Sequence, residues 1–345
     1  MEKIIKFGII GCGVISNWHA QAVQSIDGAE LVGVTDVYEP ARLAFAEKYG
    51  VKAYDSTDAM FADPEIDVVC ICTPSGLHAP LAIAAANAGK NIVVEKPMAL
   101  THEEIDNLLA ACKDNGVKMA VISQLRFAPG VQALKGAIEE GRLGKIVHAD
   151  LRMKFYRSQE YYDKGGWRGT WKMDGGGALM NQGIHGIDIL RYLMGPVKSV
   201  SALARTLVRN IEVEDTAVAI LEFENGALGQ IVGTTSINPG SPRVTEISGD
   251  SGVITMVEDK ITAWNVEGEL PPKDAMFDPD NAVDTSNDPT NFAITGHIRQ
   301  LTDMVDAIRN NREPMVTQYD GKLPVEIILA IYESSKTGKT VYLNN

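Results

Sequence analysis

The sequence predicts two domains of different class: an N-terminal α/β domain on a doubly wound parallel sheet, and a C-terminal α+β domain on a large, open, mostly antiparallel sheet. Three observations carry that expectation. Through Gln124, short apolar runs such as "KIIKFGIIG", "DVVCICTP" and "NIVVEKP" alternate with amphipathic stretches, the pattern of parallel strands buried on both faces. Beyond Gln124 the runs lengthen and alternate apolar with polar, as in "KIVHADLRMKFY" and "VKSVSALART", so one face of each strand is wet. Within "LEFENGALGQI" the Asn-Gly step marks a hairpin. The expected domains are 1–124 and 125–345, with closing helices over about 291–338.

The elements follow in order. "KIIKFGIIG" is the first strand and Ser16 to Ser25 the first helix; "ELVGVTD" is the second strand, and "ARLAFAEKYG" a helix that Gly50 stops. "DVVCICTP", "HAPLAIAAANAGK", "NIVVEKP", "THEEIDNLLAACKDNG" and "KMAVIS" continue the alternation. Thr101 followed by Glu104 is a capping box. A helix over about Pro129 to Gly141 leads into the second domain, whose further strands are "DTAVAILEFENGALGQIVGTTS", "VTEISGDSGVITMV" and "KITAWNV". Gly268 to Thr290, rich in Pro and Asp, is expected to be a loop, and "HIRQLTDMVDAIRNN" and "LPVEIILAIYESSKTG" close the chain as helices.

Composition narrows the function. The 345 residues are 45% hydrophobic and 22% charged, with a net charge of −13, which argues against nucleic acid or an anionic membrane as partner. The apolar runs are too short to span a bilayer, and the first one ends in a glycine motif rather than a cleavage site, so the cytoplasm is the expected location. Cys12, Cys70, Cys72 and Cys112 form no disulfide framework and are expected as reduced core thiols.

"GIIGCGVIS" places Gly11 and Gly13 between an apolar strand and a helix. In that context G-x-G-x-x-S is a dinucleotide-binding Rossmann turn: Gly11 permits the tight turn, Gly13 lets the backbone approach a pyrophosphate, and the amides of Val14 and Ile15 point at it from the helix N-terminus. Ser16 is small enough for helix–sheet packing. Asp36 ends the second strand where a carboxylate would bind the ribose 2′-OH and repel a 2′-phosphate, so NAD is favoured over NADP.

Two further features hold chemistry. Lys96 leaves the carboxyl end of an apolar strand, near the crevice where such sheets bind ligands. In "ALMNQGIHGIDIL", read as one α-helix, Asn181, His185 and Asp188 share a face at i, i+4 and i+7. Metal site, catalytic site and buried polar stitch are all compatible with that face, although zinc would want more His or Cys than it offers, so no metal is expected.

"GCGVIS", "CTPSGLHAPLAIAAANAGKNIVVEKPMAL" and "DGGGALMNQGIHGIDIL" together resemble the Gfo/Idh/MocA family, the glucose–fructose oxidoreductase and inositol dehydrogenase group, over essentially the whole chain. The resemblance implies NAD(P)-dependent oxidation of a sugar or cyclitol carbinol. It implies that Lys96 lies between nicotinamide and substrate, meeting both, where it orients the hydroxyl and lowers its pKa, and that His185 takes its proton as general base. It further implies that Thr73, Pro74 and His78 line the dinucleotide, that Glu95 and Gln124 lie nearer the nicotinamide, and that Arg126 touches a ligand. Many relatives carry aspartate where this chain has Asn181; an amide orients a group but accepts no proton. That departure makes a common cyclitol substrate less expected than a sugar. The family also implies a homodimer or homotetramer through the C-terminal sheet.

Between Leu151 and Lys172 stand six aromatics (Phe155, Tyr156, Tyr161, Tyr162, Trp167, Trp171) and six basic residues against two acidic ones. Flat rings beside Arg157, Arg168 and Lys172 suit a pyranose with an anionic substituent, a uronate or nucleotide sugar, with Tyr156, Trp167, Arg168 and Trp171 as contacts; packing at a sheet edge or subunit interface is the competing account. Sugar 3-dehydrogenases are the members this chain most resembles. The alternatives are an inositol-type dehydrogenase and a non-catalytic dinucleotide-binding regulator.

Overall fold

The computed structural model describes residues 3–268, 270–279, 284–289 and 293–343. The chain falls into two compact units, Met1–Gln124 with Ile294–Lys322, and Leu125–Ala293 with Leu323–Asn345.

The first unit is built on a six-stranded parallel sheet of β1 (Ile5–Ile10), β2 (Ala29–Thr35), β3 (Lys52–Ala53), β4 (Val68–Ile71), β5 (Asn91–Val94) and β6 (Met119–Val121), in the order β3-β2-β1-β4-β5-β6. The strand order reverses between β1 and β4, so the loops leaving their carboxyl ends flank a ligand crevice. The helices are α1 (Val14–Gln24), α2 (Glu39–Tyr49), α3 (Thr57–Phe61), α4 (His78–Asn87) and α5 (His102–Asn115). All four residues of β4 are buried, as continuous apolar strands between helical layers must be. Thr101 caps α5, accepting from the Glu104 amide at 3.1 Å, while Glu104 reaches back to the Leu100 amide at 2.7 Å. The two-residue β3 and the five-residue α3 are too short to leave a periodic signal in the sequence.

The second unit carries α6 (Pro129–Glu139), α7 (Gln159–Asp163) and α8 (Ile184–Met194), with β7 (Ile146–Tyr156), β8 (Val197–Arg205), β9 (Thr216–Phe223), β10 (Leu228–Thr234), β11 (Ser236–Gly249), β12 (Val253–Val257), β13 (Lys260–Asn265) and β14 (Val341–Tyr342). These strands form one sheet in the order β13-β12-β11-β7-β10-β9-β8-β14, antiparallel except where β7 and β10 pair parallel. Strand alternation divides its residues cleanly. Ala217, Ala219, Leu221 and Phe223 of β9 are buried, whereas Val218 and Ile220 are exposed.

The last helices are α9 (Thr295–Arg309) and α10 (Gln318–Thr337). The sequence groups both closing helices with 125–345; in the structure α9 instead lies in the first unit. Its Leu301, Met304 and Val305 share one core with Phe7, Ile9, Ala20 and Val23, so it covers the same parallel sheet as α1. Gln300 fastens it further, donating to the Val121 carbonyl at 2.8 Å and accepting from the Ser123 amide at 3.0 Å.

Of the expected loop 268–290, residues 269, 280–283 and 290 lie outside the described residues. Its described part is anchored: Ser286 is fully buried, and its carbonyl accepts from the Tyr156 amide at 2.9 Å. No helix among the described residues is long and apolar enough to cross a membrane.

Candidate functional site

In the first unit, Gly11 and Gly13 stand where β1 gives way to α1. Gly11 has φ +98°, and a Cβ there would lie 2.7 Å from the Cys72 carbonyl oxygen, so only glycine lets the β1 and β4 loops approach this closely. A Cβ on Gly13 would meet nothing within 4 Å, so the space above the turn is open. Ser16 is buried and donates to the Gly13 carbonyl at 2.6 Å, pinning the first turn of α1 and leaving the Val14 and Ile15 amides at its N-terminus. Asp36 is bound to the same turn: its carboxylate accepts from the Cys12 amide at 2.7 Å and, through the other oxygen, from the Tyr38 amide at 2.7 Å.

Thr73 and Pro74 follow β4. Thr73 Oγ1 and Gln124 Oε1 are buried and find no hydrogen-bond partner among the described residues. Unpaired buried acceptors are costly, which fits groups that bind a polar ligand such as a dinucleotide. His78, set by the resemblance along the dinucleotide, has a structural role in the loops around it. It is buried, with Nδ1 2.7 Å from the Pro97 carbonyl and Nε2 2.8 Å from the Thr73 carbonyl, so it stitches the loop after β4 to the loop after β5; burial holds its pKa down.

Lys96 follows β5 and is half-buried; its amide lies 3.3 Å from the Glu95 carboxylate. Glu95 turns inward. Its carboxylate is 2.9 Å from Nε2 of His19 on α1 and 3.7 Å from Nε2 of His297 on α9. Burial opposes charge on both partners of the close pair. For Glu95 the contacts from His19 and His297 outweigh it and hold the carboxyl well below its ordinary range. For His19, Cys72, Cys70 and Glu95 hold the imidazole well above its own. Burial also lowers the pKa of His297, and pushes the Cys72 thiol up to about 11. His19, Glu95 and His297 bring their ligating atoms within 4.8 Å of one another, but the 2.9 Å contact is accounted for by an ion-paired hydrogen bond. The family resemblance puts Glu95 beside the nicotinamide; in the structure its carboxylate also meets the Lys96 amide and the two histidines. His19 and His297 escape sequence reasoning, because a lone histidine on an apolar helix face gives no signal of its distant partner.

In the second unit, the segment that reads as one helix is two. Ala178–Gly183 is a π turn, and α8 begins at Ile184. The extra residue per turn breaks the i, i+4, i+7 face, as π turns at functional sites often do. Asn181 and His185 are half-buried, whereas Asp188 is buried and clamped by Arg126, which donates through Nε at 2.9 Å and Nη2 at 2.6 Å. Arg126, the residue that the resemblance sets against a ligand, is itself 3% exposed and ties its own turn to α8 through this pair. The π turn and α8 approach the sheet closely at glycines. A Cβ on Gly186 would sit 2.7 Å from Met153 Sδ, and Leu179 occupies the space above Gly233.

The aromatic stretch divides. Phe155 and Tyr162 are core. Arg168 lies over the rings of Tyr161 (4.6 Å) and Trp167 (5.1 Å), a preformed cationic shelf. Trp171 is 48% exposed and edge-on to Tyr332, and Tyr156 is half-buried under Arg209. Arg157, expected to meet an anion, is buried and spends its guanidinium on the carbonyls of Tyr156, Thr285 and Ser286 and on Gln182.

Glu214 carries no sequence signal at all. It is buried beneath the π turn, where it accepts from the Gly177 and Leu179 amides at 3.0 and 2.8 Å and from the Tyr332 hydroxyl at 2.9 Å. Burial pushes its carboxyl up to about 7 despite these donors. A carboxyl whose folded pKa exceeds its ordinary 4.5 contributes stability below that value and loses it as pH rises through about 7, here about 3 kcal/mol. Glu214→Gln is therefore expected to flatten that part of the stability profile, checked by chemical denaturation at about pH 5 and about pH 8.

Residues 5–123 match a family described as an oxidoreductase family with an NAD-binding Rossmann fold, and residues 131–255 match the GFO/IDH/MocA C-terminal domain. Among solved structures, the WlbA dehydrogenase from Bordetella pertussis, in complex with NADH and UDP-GlcNAcA, is 35% identical over 99% of each chain, with a TM-score of 0.89. Levoglucosan dehydrogenase in complex with NADH and levoglucosan is 25% identical over 99% of each chain, with a TM-score of 0.86. The scyllo-inositol 2-dehydrogenase (NAD(+)) of Bacillus subtilis (strain 168) is 28% identical over 100% of this chain and 98% of its own.

Proposed function

The chain belongs to the GFO/IDH/MocA family of NAD-dependent sugar and cyclitol oxidoreductases, and from that premise we propose that it oxidises a ring carbinol of a nucleotide-linked uronic sugar, at C3, to the ketone. The observation that carries this reading is the 35% identity, over 99% of both chains, to a protein held with NADH and UDP-GlcNAcA. The Arg168 shelf between Tyr161 and Trp167 supports it, since a guanidinium stacked on rings suits a sugar bearing negative charge. In this reading Gly13, with the amides of Val14 and Ile15, holds the pyrophosphate. Asp36 takes the ribose, Thr73 and Gln124 use their unpaired oxygens on the dinucleotide, and Asn181 positions the sugar.

NAD, when bound, supplies the hydride acceptor. Lys96 orients the carbinol hydroxyl and stabilises charge developing on its oxygen. His185 accepts the hydroxyl proton. With NAD as the acceptor of the carbinol hydride, the proton that His185 takes would leave the oxygen as the carbonyl of the product. The test is nicotinamide absorbance with NAD against UDP-GlcNAcA, UDP-GlcNAc, levoglucosan and inositols, with His185→Ala as control. Turnover of UDP-GlcNAcA above the others is expected; preference for an inositol or a neutral sugar overturns the substrate assignment.

The same reading carries two more expectations. Asp36→Ala is expected to weaken NAD about ten-fold or more, through the lost ribose hydrogen bonds, and to narrow the preference over NADP, measured by fluorescence titration of both nucleotides. Leu203, Val218, Ile220 and Leu228 form an exposed apolar patch across β8, β9 and β10, on the sheet face opposite Ala217 and Leu221. We propose that a second copy covers it. Sedimentation is expected to show a dimer or tetramer that an Ile220→Lys, Leu203→Lys variant dissociates.

A further inference from the structure

Asn181 and Gln182 belong to a hydrogen-bonded chain with a charge at each end. Arg157 Nε donates to Gln182 Oε1 at 3.0 Å, Gln182 Nε2 donates to Asn181 Oδ1 at 2.7 Å, and Asn181 Nδ2 donates to Asp174 Oδ1 at 2.5 Å. Gln182 Nε2 also lies 3.0 Å from the Tyr161 hydroxyl, which ties the cationic shelf to the same chain. Both ends are buried: Arg157 is 3% exposed and Asp174 1%, and the second Asp174 oxygen accepts from the Gly169 amide at 2.8 Å. A guanidinium can only donate and a carboxylate only accept, whereas an amide can turn over. With both ends fixed, the two amides between them have one orientation.

We propose that Asp174 and Arg157 are positioning residues that set the direction of the Asn181 amide, and through it how the sugar is held. This rests on the reading that Asn181 faces the substrate. Asp174 acts through Asn181 and does not itself meet the sugar. Neighbouring hydrogen bonds of one sense polarise one another, so reversing one link disturbs the whole row.

The experiment exchanges the end and the middle. Asn181→Asp alone sets two carboxylates face to face in a buried place. Asp174→Asn alone keeps an acceptor for the Gly169 amide but frees the Asn181 amide to turn. The double variant Asp174→Asn, Asn181→Asp restores every link. Its new amide at position 174 accepts from Gly169 and donates to the new carboxylate at position 181, which in turn accepts from Gln182.

Thermal stability is measured first and needs no substrate. Asn181→Asp is expected to lower the midpoint, and the double variant to regain most of the loss. Equal midpoints for the two would overturn the chain itself. Kinetics with UDP-GlcNAcA follow. Asp174→Asn is expected to lose about ten-fold or more in kcat with NAD affinity near that of the parent and a smaller fall in midpoint than Asn181→Asp, and the double variant to recover most of both losses. Unchanged kcat in Asp174→Asn, while Asn181→Ala is impaired, overturns the positioning role. If Asn181→Ala turns over normally, the reading of Asn181 has failed instead, and the stability result still decides the chain.

Discussion

Lys96→Met is expected to lower turnover by about 10³-fold while NAD affinity changes no more than a few-fold. Methionine keeps the unbranched stem and removes the ammonium, so the apolar packing at the end of β5 is conserved while the charge and its hydrogen-bond donors are lost. The backbone around it is held independently of its side chain. Glu95 meets the Lys96 amide, His19 fixes Glu95 from α1, and His78 ties Pro97 back to Thr73. A deletion of charge at so well-anchored a position reads on chemistry rather than on folding. A variant with near-parental turnover would remove Lys96 from the mechanism. A variant that loses NAD binding along with turnover would make Lys96 a cofactor residue first.

The anchoring of Lys96 also marks where sequence reasoning stops. The glycine turn was legible because its meaning is local: strand, two glycines, helix and an acidic residue at the end of the next strand all lie within 36 residues, and the structure adds the Asp36 carboxylate on the Cys12 amide. What holds Lys96 is not local. His19 and Glu95 are 76 residues apart, and His297 reaches them on α9, a helix whose amphipathic stripe says that it covers a sheet but not which one. The partner of Arg126 is hidden for the same reason. A lone arginine after Gln124 reads as ligand-facing until Asp188, 62 residues on, is placed against it.

The second unit adds a different difficulty. A helical wheel at 3.6 residues per turn assumes an α-helix, and the π turn over Ala178–Gly183 slips that register just where Asn181 lies. Glu214 and Asp174 then support the slipped turn from below and beside it. A buried glutamate at the start of a strand and an aspartate before three glycines carry no motif of their own. Their role exists only in the folded chain, through the amides of Gly177 and Leu179 and the side chain of Asn181.

His185→Ala is the second large effect, expected to reduce turnover by about 10²- to 10⁴-fold with both UDP-GlcNAcA and NAD binding retained within a few-fold. His185 is the second residue of α8, immediately after the π turn, and the helix beneath it is held by Arg126 on Asp188 and by the close approach of Gly186 to Met153. Removing a half-buried ring from so fixed a helix leaves the fold in place. The loss should depend on pH in a diagnostic way. A general base works only when unprotonated, so the parent's kcat is expected to fall on the acid side, and that limb is expected to vanish in the variant, whose residual rate tracks hydroxide instead. A His185→Gln variant separates the two parts of the role. Glutamine can hold a hydroxyl but takes no proton, so rates matching alanine would make proton transfer the whole contribution. Rates near the parent would make His185 a hydrogen-bonding residue and send the search for the base elsewhere.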